Sequence, residues 1–438
     1  MAKNKKEMTP EERLVAALVP EEEQPYELPE GWKWVYLGKI TTIVGGGTPS
    51  SRCPEYYDGG LIPWITPADL SDYTEVYISH GRRNITQLGL EKSSAKLIPE
   101  NTVLLSSRAP IGYVAIAANN VCTNQGFKSF LPSIHFLPKY LYWFLKGNQP
   151  MLQQYASGTT FLELSSKRAS EIRFPIAPLS EQQRLVARIE SLFAKLDAAK
   201  AKVQAVLDAH ETRKATLLHD AFAGKLTAKW REARGVTGDV YQSMPLADVC
   251  KSIFDGDHMP PPKSSRGIPF LVISNVNKGK LDFSETRFVP QDYYDKLTDT
   301  RKPESGDVLY TLVGTYGIPV LVDTNRAFCF QRHMALLKPN EEAVLQRYLW
   351  YALRQRNFYQ SATKIAKGTA QLTVPIKGLR QLTIPMTSLP EQQEIVAILD
   401  RLLGREEEVR QSAESVLAAI DRMKQSILAR AFRGELGA

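Results

Sequence analysis

The sequence predicts an α+β protein: two globular mixed α/β domains joined by two long helices that pair as an antiparallel coiled coil, with a pseudo-twofold internal repeat. Three observations predict it. The helix start PLSEQQRLVARIESLFAKLDAAKAKV at 178–203 returns as SLPEQQEIVAILDRLLGREEEVRQSA at 388–413. Both copies place apolar residues at the alternating four-and-three spacing of a coiled-coil strand. At 438 residues the chain also exceeds what one ordinary core can hold.

The repeat comes first because it sets the layout. Residues 175–226, shifted by 210, fall on 385–436 without a gap, and 17 of the 52 positions are identical. Leu179, Glu181, Gln182 and Gln183 match Leu389, Glu391, Gln392 and Gln393, and Gly158–Thr159 matches Gly368–Thr369. Earlier landmarks match more loosely: Ile62–Pro63 with Ile268–Pro269, Thr102–Leu104 with Asp307–Leu309, Gly112 with Gly317, Gln125 with Gln331, and Tyr140–Leu141 with Tyr348–Leu349. The order is therefore globular unit, helix, globular unit, helix. Shared scaffold with divergent loops suits two copies that read different things; duplication followed by drift is the bland alternative.

The first helix carries its stripe at Leu185, Ile189, Leu192, Leu196, Ala199, Val203 and Val206. The second continues the phase through Ile395, Leu399, Leu402, Val409, Ala413, Val416, Ile420, Met423 and Ile427, interrupted by Glu406. Proline and serine with an acidic residue mark each start, where the helix dipole favours negative charge, and Gly224 and Gly434 mark each end. Each helix should run roughly 44 residues, about 65 Å. A single apolar stripe needs a partner. Its twin in the same chain is the expected one, and a second molecule the alternative.

Each globular unit opens on a strand-like run, Trp34–Ile43 or Met244–Ile253. A Gly- or Pro-rich loop follows, VGGGTPSSR at 44–52 or FDGDHMPPPKSSRG at 254–267, ending in hydroxyls and arginine. Such loops suit phosphates or base edges, and a plain surface turn fits them equally. Apolar strands at 62–70 and 268–276 come next, then strand–glycine turn–strand at 104–116 and 308–322. NNVCTNQGFKSF (119–130) and NRAFCFQRHMALL (325–337) mix amides and cations with aromatics. Arg can grip guanine and Asn or Gln adenine, although strand-edge polarity explains any single residue as well. KYLYWFLKG (139–147) and RYLWYALRQ (347–355) read as core-packing aromatic helices.

The net charge of +8 leans toward an anionic partner. No run of 18 apolar residues predicts a membrane helix, and the opening MAKNKKEMTPEERLVAAL does not read as a secretory signal. Cys53, Cys122, Cys250 and Cys329 stand far apart, which argues against a disulfide framework or zinc site and for a reducing cytoplasm. Catalytic signatures are missing. GGG at 45–47 does not open a helix, the only Pro-Pro lies in His258–Lys263, no acidic residue has lysine two places on, and no Walker loop occurs. The chain does not read as an enzyme.

LPEGW (28–32), GGGTPS (45–50), the PLSEQQ and SLPEQQ starts, AFAGKLTAKW (221–230) and AFRGEL (431–436) resemble the type I restriction-modification specificity subunit. The likeness runs from Leu28 onward. It implies an N-terminal extension (1–27), a first target-recognition domain (28–157), a first conserved region with a spacer helix (158–230), a linker and second recognition domain (231–367), and a second conserved region (368–438). By that resemblance the subunit is non-catalytic. It reads split double-stranded DNA, one half-site per domain, and recruits two methyltransferase subunits and restriction/translocase subunits. S-adenosylmethionine, ATP and magnesium belong to those partners, and this chain binds no cofactor of its own. A heptad added to both helices should change the spacer and leave each half-site unchanged.

Candidate DNA contacts in the first unit are Ser50, Ser51, Arg52, Arg82, Arg83, Arg108, Asn124, Gln125 and Lys128. In the second they are His258, Lys263, Arg266, Asn275, Lys278, Tyr316, Arg326, Gln331 and Arg332. The rival readings are a stand-alone DNA-binding regulator and a coiled-coil scaffold without nucleic acid.

Overall fold

The computed structural model describes residues 9–108, 110–158, 162–237, 241–256, 261–369 and 371–436. The chain divides into two units, Met1–Val203 with Val416–Ala438, and Gln204–Ser415. Each unit is thus closed by the start of one long helix and the end of the other.

In the first unit a five-stranded sheet runs in the order Ile43–Gly45, Phe127–Phe130, Val103–Ser107, Ile111–Ala117, Tyr77–Ile78. In the second, Cys250–Asp255, Met334–Pro339, Val308–Thr311 and Pro319–Leu321 keep the same order without the last strand. The central strands are buried on both faces, which is why they read as unbroken apolar runs rather than alternating ones. Val103 and Leu105 face the aromatic helix core while Leu104 faces the opposite cluster; Val308, Tyr310 and Leu309 divide the same way.

The opening runs are not single strands. Lys33–Tyr36 gives way to a helical turn at Leu37–Ile40 before Ile43–Gly45, and Gln242–Pro245 to Leu246–Val249 before Cys250–Asp255. The turn lets the chain change sheets. The first strand of each pair runs antiparallel to a strand just before the long helix, Arg173–Ile176 or Thr383–Met386, and the second joins the recognition sheet.

Residues 9–27 belong to the first unit. Thr9 and Glu12 form a capping box on the helix Pro10–Ala16, and Tyr36 N–H donates to the Ala17 carbonyl while Val19 N–H donates to that of Trp34. Tyr26 then donates to the Phe432 carbonyl at 3.1 Å and packs edge-on against Trp34.

The long helices run antiparallel within each unit. Asp197 meets Lys424 and Lys200 meets Asp421 in the first unit, and Arg213 meets Glu406 in the second. The second helix is continuous over Leu389–Phe432, 44 residues as the spacing predicts. The first is divided into Leu179–Asp208 and His210–Phe222. Ala209 keeps helical dihedrals, so the chain carries on in the same sense. The break falls where buried His210 and half-buried Arg213 and Glu406 replace apolar packing. Phe222 packs on Tyr348, and Phe432 on Tyr140 and Phe144.

The seam is only partly dry. Ala413, Ile420 and Leu428 are buried, but Val416 and Met423 in the first unit and Val206 and Val409 in the second stay 38–52% exposed. Among the described residues no helix is long and apolar enough to cross a membrane.

Candidate nucleic-acid interface

In the first unit the interface grows from a parallel strand pair, Ile62–Ile65 beside Cys122–Thr123, whose chains leave at the same edge. Asn124 N–H donates to the Ile65 carbonyl at 2.9 Å, and Gly47 N–H donates to that of Thr123 at 2.8 Å. The glycine run is therefore laid directly on the 123–125 loop. A Cβ at Gly46 would sit 1.9 Å from the Asn124 oxygen, so only glycine permits the crossing. Trp64 donates to the Gly47 carbonyl and Tyr57 to that of Pro49, which fixes the loop from below.

This brings Ser50, Ser51, Arg52 and Gln125 to one exposed rim, with Thr48 hydrogen-bonded to Gln125. Arg83, on the strand paired with Trp64, lays its guanidinium 4.1 Å over the Tyr57 ring. Asn124 lies beside the rim and accepts from Gly126 N–H. Arg82 is held by Asp69, which accepts its backbone N–H at 2.9 Å. Arg108 pairs with Glu163 only through its backbone, in an isolated antiparallel β-bridge. Lys128 needs correction: it is a buried strand residue, 7% exposed, 3.8 Å from Glu163. Burial and the nearby Arg108 push its ammonium below the ordinary lysine range, against the pull of Glu163.

The second unit repeats the crossing with different side chains. Ile268–Leu271 runs parallel to Cys329–Phe330, Gln331 N–H donates to the Leu271 carbonyl, and a Cβ at Gly256 would lie 2.3 Å from the Phe330 oxygen. The structural partner of Gln331 is therefore Asn124, not Gln125 as the sequence matching has it. The loops enclose a groove of about 810 Å³ to which Arg287, Thr315, Gln331, Arg332, His333 and Gln371 contribute. Gln331 is hydrogen-bonded to His333, whose imidazole is pushed down by burial and by Arg332. Lys263 and Arg266 are exposed on the adjoining loop, which Ser264 ties to Phe288.

Other candidates fall elsewhere. Asn275 is 5% exposed and spends its amide on Val272 N–H and the Glu285 carbonyl, so it is a turn-builder. Tyr316 is 8% exposed, stacked on Tyr359 and hydrogen-bonded to Thr363, so it belongs to the core. Arg326 covers the Phe283 ring, and Lys278 lines a separate groove. His258 lies outside the described residues.

Arg287 is absent from the candidates that residue type and spacing suggest. It faces Phe270 in the same register in which Arg83 faces Trp64. The available signal was the alignment of Arg83–Ile85 with Arg287–Val289, obscured because the offset there drops to 204.

Compared with known proteins, the chain matches the family described as Type I restriction modification DNA specificity domain twice, over residues 29–208 and 239–414. It is 24% identical over 442 residues to the EcoKI specificity subunit of Escherichia coli K12, covering 94% of this chain and 90% of that one. Over 184 residues, 42% of each protein, it is 40% identical to the MjaIX specificity subunit of Methanocaldococcus jannaschii. In fold it is similar to a chain solved in work on assembly and conformational transition of the type I R-M system, with a TM-score of 0.73 at 22% identity over 94% of this chain and 100% of that one. The HsdS subunit from Thermoanaerobacter tengcongensis matches with a TM-score of 0.63 at 22% identity over the same shares.

Proposed function

The chain belongs to the type I restriction-modification DNA specificity family, and on that premise we propose that it reads a bipartite DNA target for such a complex, one half-site per unit. It is the recognition subunit, not a catalyst. One observation carries the reading: the two units share their joints but not their rims. Both rest on a glycine crossing, a paired arginine and a parallel strand pair. Ser50, Ser51, Arg52 and Gln125 line one rim, whereas Lys263, Arg266, Gln331 and Arg332 stand at the other. Common geometry with unlike donor sets is what reading two different sequences requires.

Two methyltransferase subunits are its direct partners, and restriction/translocase subunits join that core. S-adenosylmethionine, ATP and magnesium come with those partners, in the cytoplasm.

The test is to co-express the chain with a methyltransferase partner and map methylated bases in a host with and without the gene. A split motif that appears only with the gene is expected. Absence of any gene-dependent motif, or a single uninterrupted site, sinks the reading.

A further inference from the structure

We propose that the second unit carries a sequence-independent phosphodiester site in the groove between its long helix and its aromatic helix, and that a smaller version recurs in the first unit. The inference rests on the reading of the chain as a DNA-specificity protein. It concerns a surface apart from the candidate base-reading rims.

The groove has a volume of about 500 Å³. Four cations line it: Lys214 from the long helix, Arg354 and Arg356 from the end of the aromatic helix and the start of the next, and Lys278 from a turn. Glu211 is its single carboxylate, and Lys214 already holds it at 3.0 Å. Arg354, Arg356 and Lys278 make no ion pair among the described residues. The Arg354 guanidinium lies 4.4 Å over the Trp350 ring, leaving its edge for an anion. Burial holds Arg354 below the ordinary arginine range, against the pull of Tyr351 and Glu211. A half-buried cation with no ion pair of its own is costly unless a ligand supplies one.

The first unit repeats the central pair. Lys146 ends its aromatic helix, 5.7 Å over the Tyr142 ring, as Arg354 stands over Trp350. Burial and neighbouring Lys424 both push Lys146 down, and Lys424 occupies the place of Lys214 in the repeat. A cation on an aromatic ring beside a helix lysine is thus kept in both copies, while the rims differ. The charge is repeated although the side chains differ, and Lys424 is paired with Asp197 as Lys214 is with Glu211; a repeated charge suits the one feature every DNA shares, its backbone. An open groove with dispersed cations fits an extended polyanion better than a small ligand.

The experiment uses the full chain and a fluorescent duplex without the mapped target, with affinity read from about 50 to 200 mM salt. Lys278→Gln/Arg356→Gln changes two exposed side chains and should melt like the parent; Arg354→Gln is the second variant. Removing one cation from the phosphates should lower the slope of log affinity against log salt by about 0.9, so the double variant should lower it by about 2. The methylated motif should stay unchanged. An unchanged slope, or an altered half-site, overturns the proposal. So does a variant that keeps its slope but no longer co-purifies with the methyltransferase, because the groove then serves a protein. If the parent chain itself shows no salt-dependent DNA affinity, the specificity reading fails as well, and the two failures are told apart.

Discussion

Gln182 and Gln392, 210 residues apart in sequence, make the same three hydrogen bonds in their two units. The Gln182 side-chain oxygen accepts Leu137 N–H at 2.9 Å, and its amide donates to the His135 and Ala177 carbonyls. Gln392 does this with Leu345, Ala343 and Thr387. Both are fully buried, and Leu137 and Leu345 are the N-cap positions of the aromatic helices. The repeated Glu-Gln-Gln motif is therefore a fastener between the start of a long helix and the aromatic helix of its unit. Gln392→Ala should cost about 2–4 kcal/mol, because three buried backbone groups lose partners. Gln392→Glu should be no better, since a carboxylate cannot donate to the two carbonyls. Urea denaturation checks both, and a parental midpoint for either variant contradicts the assignment.

Glu391, beside that fastener, accepts from Thr227, Arg231, Tyr241 and Thr387 and is 1% exposed. Burial alone would raise its carboxyl, but these bonds together hold it below the usual carboxylate range. A depressed folded-state value means the stabilisation is present above the ordinary carboxylate pKa, about 4.3, and is lost as pH falls through the folded value. Glu391→Gln should lower stability at neutral pH and flatten the loss between about pH 5 and 3. Thermal melts across that range decide it.

The polar station in the helix pair is a stability cost. Glu406 binds Arg213 at 2.9 Å, and His210, 4% exposed, sits 3.5 Å from it with neither ring nitrogen hydrogen-bonded. The repeat has Leu196, Ile420 and Met423 where these stand. Glu406→Leu alone should destabilise by about 1–3 kcal/mol, leaving Arg213 unpaired. The triple variant Glu406→Leu/His210→Ile/Arg213→Met should match or exceed the parent, as ion pairs withdrawn from water and replaced by apolar residues often do. A triple variant weaker than the single one would falsify this account.

Arg83 and Arg287 hold matching positions in the two units. Arg287→Ala should relax one position of the second half-site, at about 1–3 kcal/mol, and leave the first intact; Arg83→Ala should do the reverse. Methylation mapping of each variant is the check, and equal weakening across all sequences would assign the arginines to phosphates instead.

Legibility followed the range of the forces involved. The helices were readable because heptad spacing is local, and the aromatic helices because their apolar faces are continuous. Loop residues were not. Asn275 ends an apolar strand and Tyr316 sits in a glycine turn, and both turn out to be spent on turn and core packing, whereas Arg287 lies in an ordinary-looking strand and lines the groove. A loop residue's availability depends on what folds against it, and residue type alone carries little of that information.

The sequence by itself determined the duplication, the paired helices and the two unlike loop sets, because repeated letters and apolar periods survive without knowledge of contacts. Tertiary structure alone decided that Phe222 closes on Tyr348 and Phe432 on Tyr140, so that each unit is completed by the far end of the other copy's helix. Among the described residues it also decided which cations make no ion pair. Burial and hydrogen-bond satisfaction are properties of surfaces brought together across hundreds of residues, and no local spacing encodes which surfaces those are.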